Sequence, residues 1–166
     1  MKLIYLFITI NTLVLLSSCR NDFDFEPSNG SELRFSKDTV YLDTIFSNIG
    51  SSTYTLKVYN NSDKNIKIPS LKLGKGENSN FRLMVDGIAG KVFNNIELLA
   101  KDSMFIFVET TVDIKSLSSQ KDFLYNDQIQ FSSGSNNQKV ELVTLVKDAV
   151  FLYPQKFADG TKETLP

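Results

Sequence analysis

The residues that could do chemistry in this chain are few. Cys19 is the only cysteine in 166 residues, and it directly follows Leu16-Ser17-Ser18. A lone thiol has no partner for an internal disulfide, so its reactivity must be spent on something else. There is no histidine at all. That removes the commonest general base, the Ser-His-Asp triad and most zinc sites. Chemistry by carboxylates alone stays open, but spacing in one chain does not pair them across a fold. Asp22, Asp24 and Glu26 form the densest acidic cluster. They alternate with Phe23 and Phe25 and lack the glycine of a calcium loop, so a solvated tether is the better reading than a metal site. Three tripeptides share one pattern of aspartate, hydroxyl residue and apolar residue: Asp38-Thr39-Val40, Asp43-Thr44-Ile45 and Asp102-Ser103-Met104. Each suits the end of a turn followed by the start of a strand.

The setting of Cys19 says more than the thiol does. Lys2 supplies a positive start, and Leu3 to Leu16 is a run of fourteen mostly apolar residues broken by Thr9, Asn11 and Thr12. A secretory h-region holds about 7–15 apolar residues, whereas a spanning helix needs roughly 18 or more. The small residues Ser17 and Ser18 then precede the cysteine. This arrangement resembles the lipobox of bacterial lipoproteins. The resemblance implies cleavage before Cys19, acylation of its sulfur and a place in the envelope of a Gram-negative cell. Stable anchoring takes more than one acyl chain, which a fully modified cysteine provides without a transmembrane helix. The acidic residues behind it resemble the surface-export signals of some such lipoproteins. Likewise, the three tripeptides resemble the acceptor motif of a general periplasmic O-glycosylation system, which implies Thr39, Thr44 and Ser103 as glycan carriers. Asn60-Asn61-Ser62 matches an N-glycosylation sequon, but a polar hairpin turn accounts for it better.

Taking residues 1–18 away leaves 148 residues and removes one charge, Lys2, so 17 basic residues face 19 acidic ones, a net of −2. No basic excess supports nucleic-acid binding. The remaining length fits one domain with its own core. Residues 1–18 are expected to be the signal peptide, 19–31 an acidic tether, 32–154 the domain and 155–166 a tail or linker.

From Leu33 to Tyr153 the chain reads as short strands between turn residues. Thr53 to Tyr59 alternates, with Tyr54, Leu56 and Val58 on one face and Thr55, Lys57 and Tyr59 on the other. Ile66, Ile68 and Leu71 sit on a strand interrupted by Pro69, which suits an edge or a bulge. Asp86-Gly87 signals a hairpin turn. Met104 to Val112 is apolar on both faces, which predicts a central strand or a second packed surface. The last hairpin is expected to pair Asp127–Phe131 with Lys139–Lys147. Leu56, Val58, Ile106 and Val108 are predicted core. Of Tyr41, Tyr54, Tyr59, Tyr125 and Tyr153, most are expected in the core, with Tyr59 the exception by phase. Closely spaced strands without an amphipathic helix predict an all-β fold, an immunoglobulin-like β-sandwich behind a lipoprotein signal peptide. A small barrel is the alternative.

The stretches Tyr54–Ser62, Ile66-Lys67-Ile68, Asn80-Phe81-Arg82-Leu83 and Leu98–Val108 resemble the ASH/Hydin-like and choice-of-anchor immunoglobulin-like domains. The resemblance spans about residues 33–153. It departs after Val108, where Glu109-Thr110-Thr111 replaces the usual Phe-x-Pro. The chain also resembles the N-terminal part of larger envelope lipoproteins in which such a sandwich precedes a parallel β-helix. These resemblances imply a fold rather than an activity. The expected function is a lipid-anchored, non-catalytic interaction or spacer module at the outer membrane, on its periplasmic face or the cell surface. It would need no cofactor and no metal. Its partners would be the membrane, through the anchor, and a protein or glycan, with no nucleic acid. The alternative is the front domain of a longer carbohydrate-active or adhesin-like β-helix protein.

Overall fold

The computed structural model describes residues 2, 4–5, 23–28, 33–117, 123–133, 136–149, 152 and 154–164. Cys19 and Tyr153 lie outside the described residues, as do most of residues 1–18 and Asp22. The strands are β1 (Glu26–Pro27), β2 (Leu33–Phe35), β3 (Thr39–Tyr41), β4 (Ile45–Phe46), β5 (Tyr54–Asn60), β6 (Ile66–Leu73), β7 (Phe81–Val85), β8 (Ile88–Gly90), β9 (Val92–Leu98), β10 (Ser103–Thr110), β11 (Leu124–Ser133) and β12 (Asn136–Lys147). Two one-turn 3₁₀ segments, Gly76–Asn78 and Ile114–Leu117, lie between strands. No helix among the described residues is long and apolar enough to cross a membrane.

The strands form two sheets. The five-stranded sheet runs β2-β5-β10-β7-β8, and the seven-stranded sheet runs β1-β6-β11-β12-β3 with β9 on β6 and β4 on β12. Between β5 and β11 the chain changes sheet at every connection except the β7–β8 hairpin. Its first edge is shared. β2 pairs antiparallel with β5, and β3 then crosses over to pair parallel with the last strand, β12. This is the strand order of an immunoglobulin-like sandwich, so the fold is all-β and the barrel alternative is set aside.

The core lies between the sheets and is fed by alternation. Leu56, Val58, Ile106 and Val108 are all fully buried, as their phase requires. Aromatic pairs cross between the sheets. Phe81 stacks on Tyr125 with ring centroids 5.3 Å apart, and Phe35 meets Phe131 at 4.7 Å. At Asp86-Gly87 both residues take positive φ, 50° and 76°, which is the backbone a two-residue hairpin turn needs.

Four readings change. First, β6 is not an edge, because it bonds to β9 on one side and to β1 and β11 on the other. The bulge half of that reading holds. Ile66 and Ile68 face inward before Pro69, and Leu71 and Leu73 face inward after it. On β9 the inward residues are Leu98 and Phe93, with Asn95 at φ 55° between them. Both strands slip phase by one residue at the same rung, so the break at Pro69 is matched instead of terminating the sheet. Second, the last hairpin is longer than expected, running in register from Leu124↔Leu145 to Ser133↔Asn136. Third, Glu26–Pro27 joins the sheet beside Ile66 and Lys67, and Ser28 is buried. Glu26 pairs with Lys64 at 2.7 Å, and Lys67 Nζ lies 5.7 Å from the Phe25 ring centroid. Part of the acidic stretch is therefore docked on the domain. Fourth, residues 155–163 form a small hairpin of their own. Glu163 N–H donates to Gln155 O, and Asp159 accepts from the Thr161 N–H and hydroxyl at its turn.

Candidate functional site

The outer face of the five-stranded sheet is where the alternation leaves apolar side chains in solvent. On β10, Ile106 and Val108 point into the core, so Phe105 and Phe107 must point out. They are 50% and 38% exposed. The apolar character of both faces of β10 thus marks a central strand with an open outer surface, with no second packed layer among the described residues. Register assembles the neighbours. Phe107 lies between Thr55 and Met84, Met84 lies opposite Ala89, and Phe105 lies opposite Lys57. The two phenylalanine rings are near parallel, with centroids 6.4 Å apart. Lys57 Nζ sits 5.0 Å from the Tyr59 ring centroid and 5.2 Å from that of Phe105. Its charge therefore rides on two aromatic faces.

One end of this surface opens into a shallow cavity of about 330 Å³ lined by Thr53, Arg82, Leu83, Met84, Ala89, Phe107 and Glu109. The polar group there is ordered. Thr53 Oγ1 donates to Glu109 Oε1 at 2.5 Å, and Arg82 reaches Glu109 Oε2 at 3.5 Å and Thr111 Oγ1 at 3.0 Å. The Thr53 hydroxyl first, and then the Arg82 guanidinium, hold the Glu109 carboxyl below its ordinary value. Glu109 stays ionised and occupied. The surface can bind by apolar contact and by cations.

The residues singled out in the sequence are not brought together. Thr44 is exposed in the loop between β3 and β4 and helps line a cavity with Asp43, Ile45, Phe46, Ile49–Ser52 and Tyr54. That loop is pinned on both sides. Asp43 N–H donates to Tyr54 Oη at 2.9 Å, and Thr144 Oγ1 donates to Asp43 O at 2.9 Å. The hydrogen bond to the Asp43 side chain is the main reason the Tyr54 phenol is raised. Thr39 opens β3 and is half-buried, while Ser103 opens β10 and is also half-buried. Thr44 and Ser103 stand at opposite ends of β5. Among the described residues no three metal-ligating side chains cluster.

Asn60 proves structural. It is 1% exposed. Its Nδ2 donates to Lys64 O at 2.7 Å and Leu99 O at 2.9 Å, and its Oδ1 accepts from Ser62 N and Ser62 Oγ at 3.0 and 2.7 Å. One amide thus ties the β5–β6 turn to the β9–β10 turn, and the sequon-like triplet is that turn. A second buried polar anchor was not legible beforehand. Asp127 accepts from Ser79 Oγ at 2.5 Å and from the Lys75 and Gln128 N–H groups at 3.1 and 2.8 Å, holding the loop before β7 against β11. The tyrosines divide mostly as expected, with Tyr41 the exception. Tyr125 is buried, Tyr54 and Tyr59 are half-buried, and Tyr41 is 72% exposed on β3. Tyr41 flanks Val40 on a three-residue strand, so burying Val40 turns the ring outward.

No family model matches the chain, and no curated protein matches it. Among solved structures it is similar to a family 123 glycoside hydrolase from Clostridium perfringens described for glycolipid glycan hydrolysis. That likeness has 7% identity over 71% of this chain and a TM-score of 0.49. This chain spans about a quarter of that enzyme, 27% of its length. It is also similar to the ASH/PapD-like domain 7 of human CEP192, with 10% identity, 81% of this chain, 97% of that one and a TM-score of 0.45. A protein of unknown function from Porphyromonas gingivalis W83 gives 12% identity over 70% and 48% of the two chains, with a TM-score of 0.43. The immunoglobulin-like class follows from the strand order, and none of these likenesses carries an activity across.

Proposed function

We propose that this chain is a lipid-anchored cell-envelope protein whose sandwich acts as a non-catalytic interaction or spacer module. The observation that carries the interaction role is the outer face of the five-stranded sheet, where Phe105, Phe107 and Met84 stand 38–50% exposed on a regular hydrogen-bonded scaffold. A rigid sheet that displays large apolar side chains presents a contact surface at little ordering cost. The anchor rests on the sequence around Cys19, and with it the assignment to the outer membrane. The modification reading singles out Thr44 over Thr39 and Ser103, because it alone of the three is exposed.

Intact-mass and N-terminal peptide mass measurements on protein purified from native envelopes test the anchor and the glycan together. Acyl mass on Cys19 and added hexose-type mass lost with Thr44→Ala are expected. An unmodified, released chain would end the anchor reading. A mass equal to the lipidated polypeptide would end the glycan reading. Hydrolase or lyase activity of this chain, lost on replacing one carboxylate, would overturn the non-catalytic role.

A further inference from the structure

We propose that the outer face of the five-stranded sheet docks onto an anionic lipid surface and lays the domain flat on the membrane. This deepens the interaction role and rests on the lipid-anchor reading for its local concentration. Charge separates the two sheets. The strands of the five-stranded sheet carry three cations, Arg34, Lys57 and Arg82, against one carboxylate, Glu109. The strands of the seven-stranded sheet carry four lysines against four carboxylates. Arg82 is bound to Glu109. Among the described residues, no carboxylate pairs with Arg34 or Lys57. Asp86 lies beyond the strands, in the β7–β8 turn.

The two remaining cations adjoin aromatic rings. Arg34 is opposite Tyr59 in register, and the Lys57 ammonium lies over Tyr59 and Phe105. Long cationic side chains beside phenylalanine, tyrosine and methionine are the composition of surfaces that sit at the boundary between headgroups and acyl chains. The cations meet lipid phosphates while the rings enter the acyl region.

Area favours this occupant over a second copy of the chain. The three exposed side chains Phe105, Phe107 and Met84 present roughly 250 Å² of apolar surface, whereas a stable dimer buries about 800 Å² on each partner. A patch of this size is weak alone, and a covalent tether makes weak contact sufficient by effective concentration. Reach allows it. Asn65 Nδ2 holds the Asp24 carbonyl at 3.3 Å, and the five steps from Cys19 to Asp24 span at most about 18 Å, more than the roughly 10 Å between packed sheets. The chain can therefore pass from β1 to beneath the opposite face.

The chain has no tryptophan, so one substitution creates a unique reporter. The Phe105→Trp chain and, on the other sheet, the Tyr41→Trp chain are each acylated and placed in phosphatidylethanolamine/phosphatidylglycerol vesicles with brominated acyl chains. Docking predicts strong quenching and a blue shift for Phe105→Trp and neither for Tyr41→Trp. Equal quenching of both, or none of either, on acylated protein overturns the docking and leaves the anchor standing. The unacylated Cys19→Ser chain separates the two ideas further. Its partition into added anionic vesicles should fall roughly fivefold with Lys57→Gln and should be lost with Phe105→Ser/Phe107→Ser. If the native chain proves unacylated, the anchor reading fails, and this partition alone decides the docking. A concentration-dependent dimer broken by Phe105→Ser, or a tryptophan shift produced by soluble oligosaccharide without vesicles, would assign the face to another occupant and overturn the proposal.

Discussion

Replacing Asn60 should cost more than any other single polar change in the domain, and the cost should depend on pH in a way that reveals its cause. Its side chain makes four well-formed hydrogen bonds, at 2.7 and 2.9 Å through Nδ2 and at 3.0 and 2.7 Å through Oδ1. Each contributes about 0.5–1.5 kcal/mol net, and carbonyls left buried and unpaired cost more. Several partners are only part-buried and recover water, so Asn60→Ala should cost about 2–4 kcal/mol. Asn60→Asp keeps the shape and turns a donor toward Lys64 O and Leu99 O into an acceptor. The side chain it replaces is 1% exposed, so the introduced carboxyl should have a folded pKa above its unfolded value of about 3.9. A raised folded pKa means that the folded state holds the proton more tightly. The Asn60→Asp variant should therefore be closest to wild type below about pH 4 and lose stability as pH rises through the folded pKa. Urea unfolding followed by far-UV circular dichroism at about pH 4 and about pH 8 measures it. A pH-independent difference, or a loss under about 0.5 kcal/mol at the higher pH, would refute the role given to this amide.

Packing gives a paired test on one strand. Ile106→Ala, fully buried, should cost about 2–5 kcal/mol, while Phe105→Ala, half exposed, should cost under about 1 kcal/mol by the same unfolding assay. Gly74→Ala should destabilise the loop before β7, because the added Cβ would stand 2.8 Å from both Asp127 Oδ1 and Gln128 Cγ. Ser79→Ala in that background should cost less than it does alone, since both act through Asp127. Thr53→Val should move the Glu109 carboxyl back up toward its ordinary value, read by carbon-detected NMR titration. The wild-type depression means that its share of stability is present above the unfolded pKa and lost as pH falls through the folded one. An unchanged titration would show that the Thr53 hydroxyl is not the main cause.

Much of the scaffold was legible because strand periodicity is local. Tyr54–Asn60 and the Asp86-Gly87 turn carry their geometry in adjacent residues, and the inward set Leu56, Val58, Ile106 and Val108 follows from phase alone. The matched slip at Pro69 and Asn95 was half legible. Proline announces a break, but only pairing shows that the neighbouring strand breaks at the same rung, which keeps β6 in mid-sheet. The ends of β11 and β12 were too short in the sequence reading, because Asn126, Ser132, Asn137 and Gln138 have little strand preference of their own and are held by register to their partners.

By itself, the sequence determined that Cys19 follows a short apolar run, that the chain holds no histidine, and that the fold is built from alternating strands. These are properties of composition and of neighbours along the chain. Only the tertiary structure decided which apolar face stays in water. Phe105 and Phe107 read the same as buried residues until β10 is placed at the centre of one sheet with its second side uncovered. Nor did the sequence say that Asn60 and Asp127 are buried anchors, since their partners lie 2–39 and 1–52 residues away. The bonds to Leu99, Ser79 and Lys75 join segments 39, 48 and 52 residues apart that only the assembled strands bring together, and no local pattern encodes them.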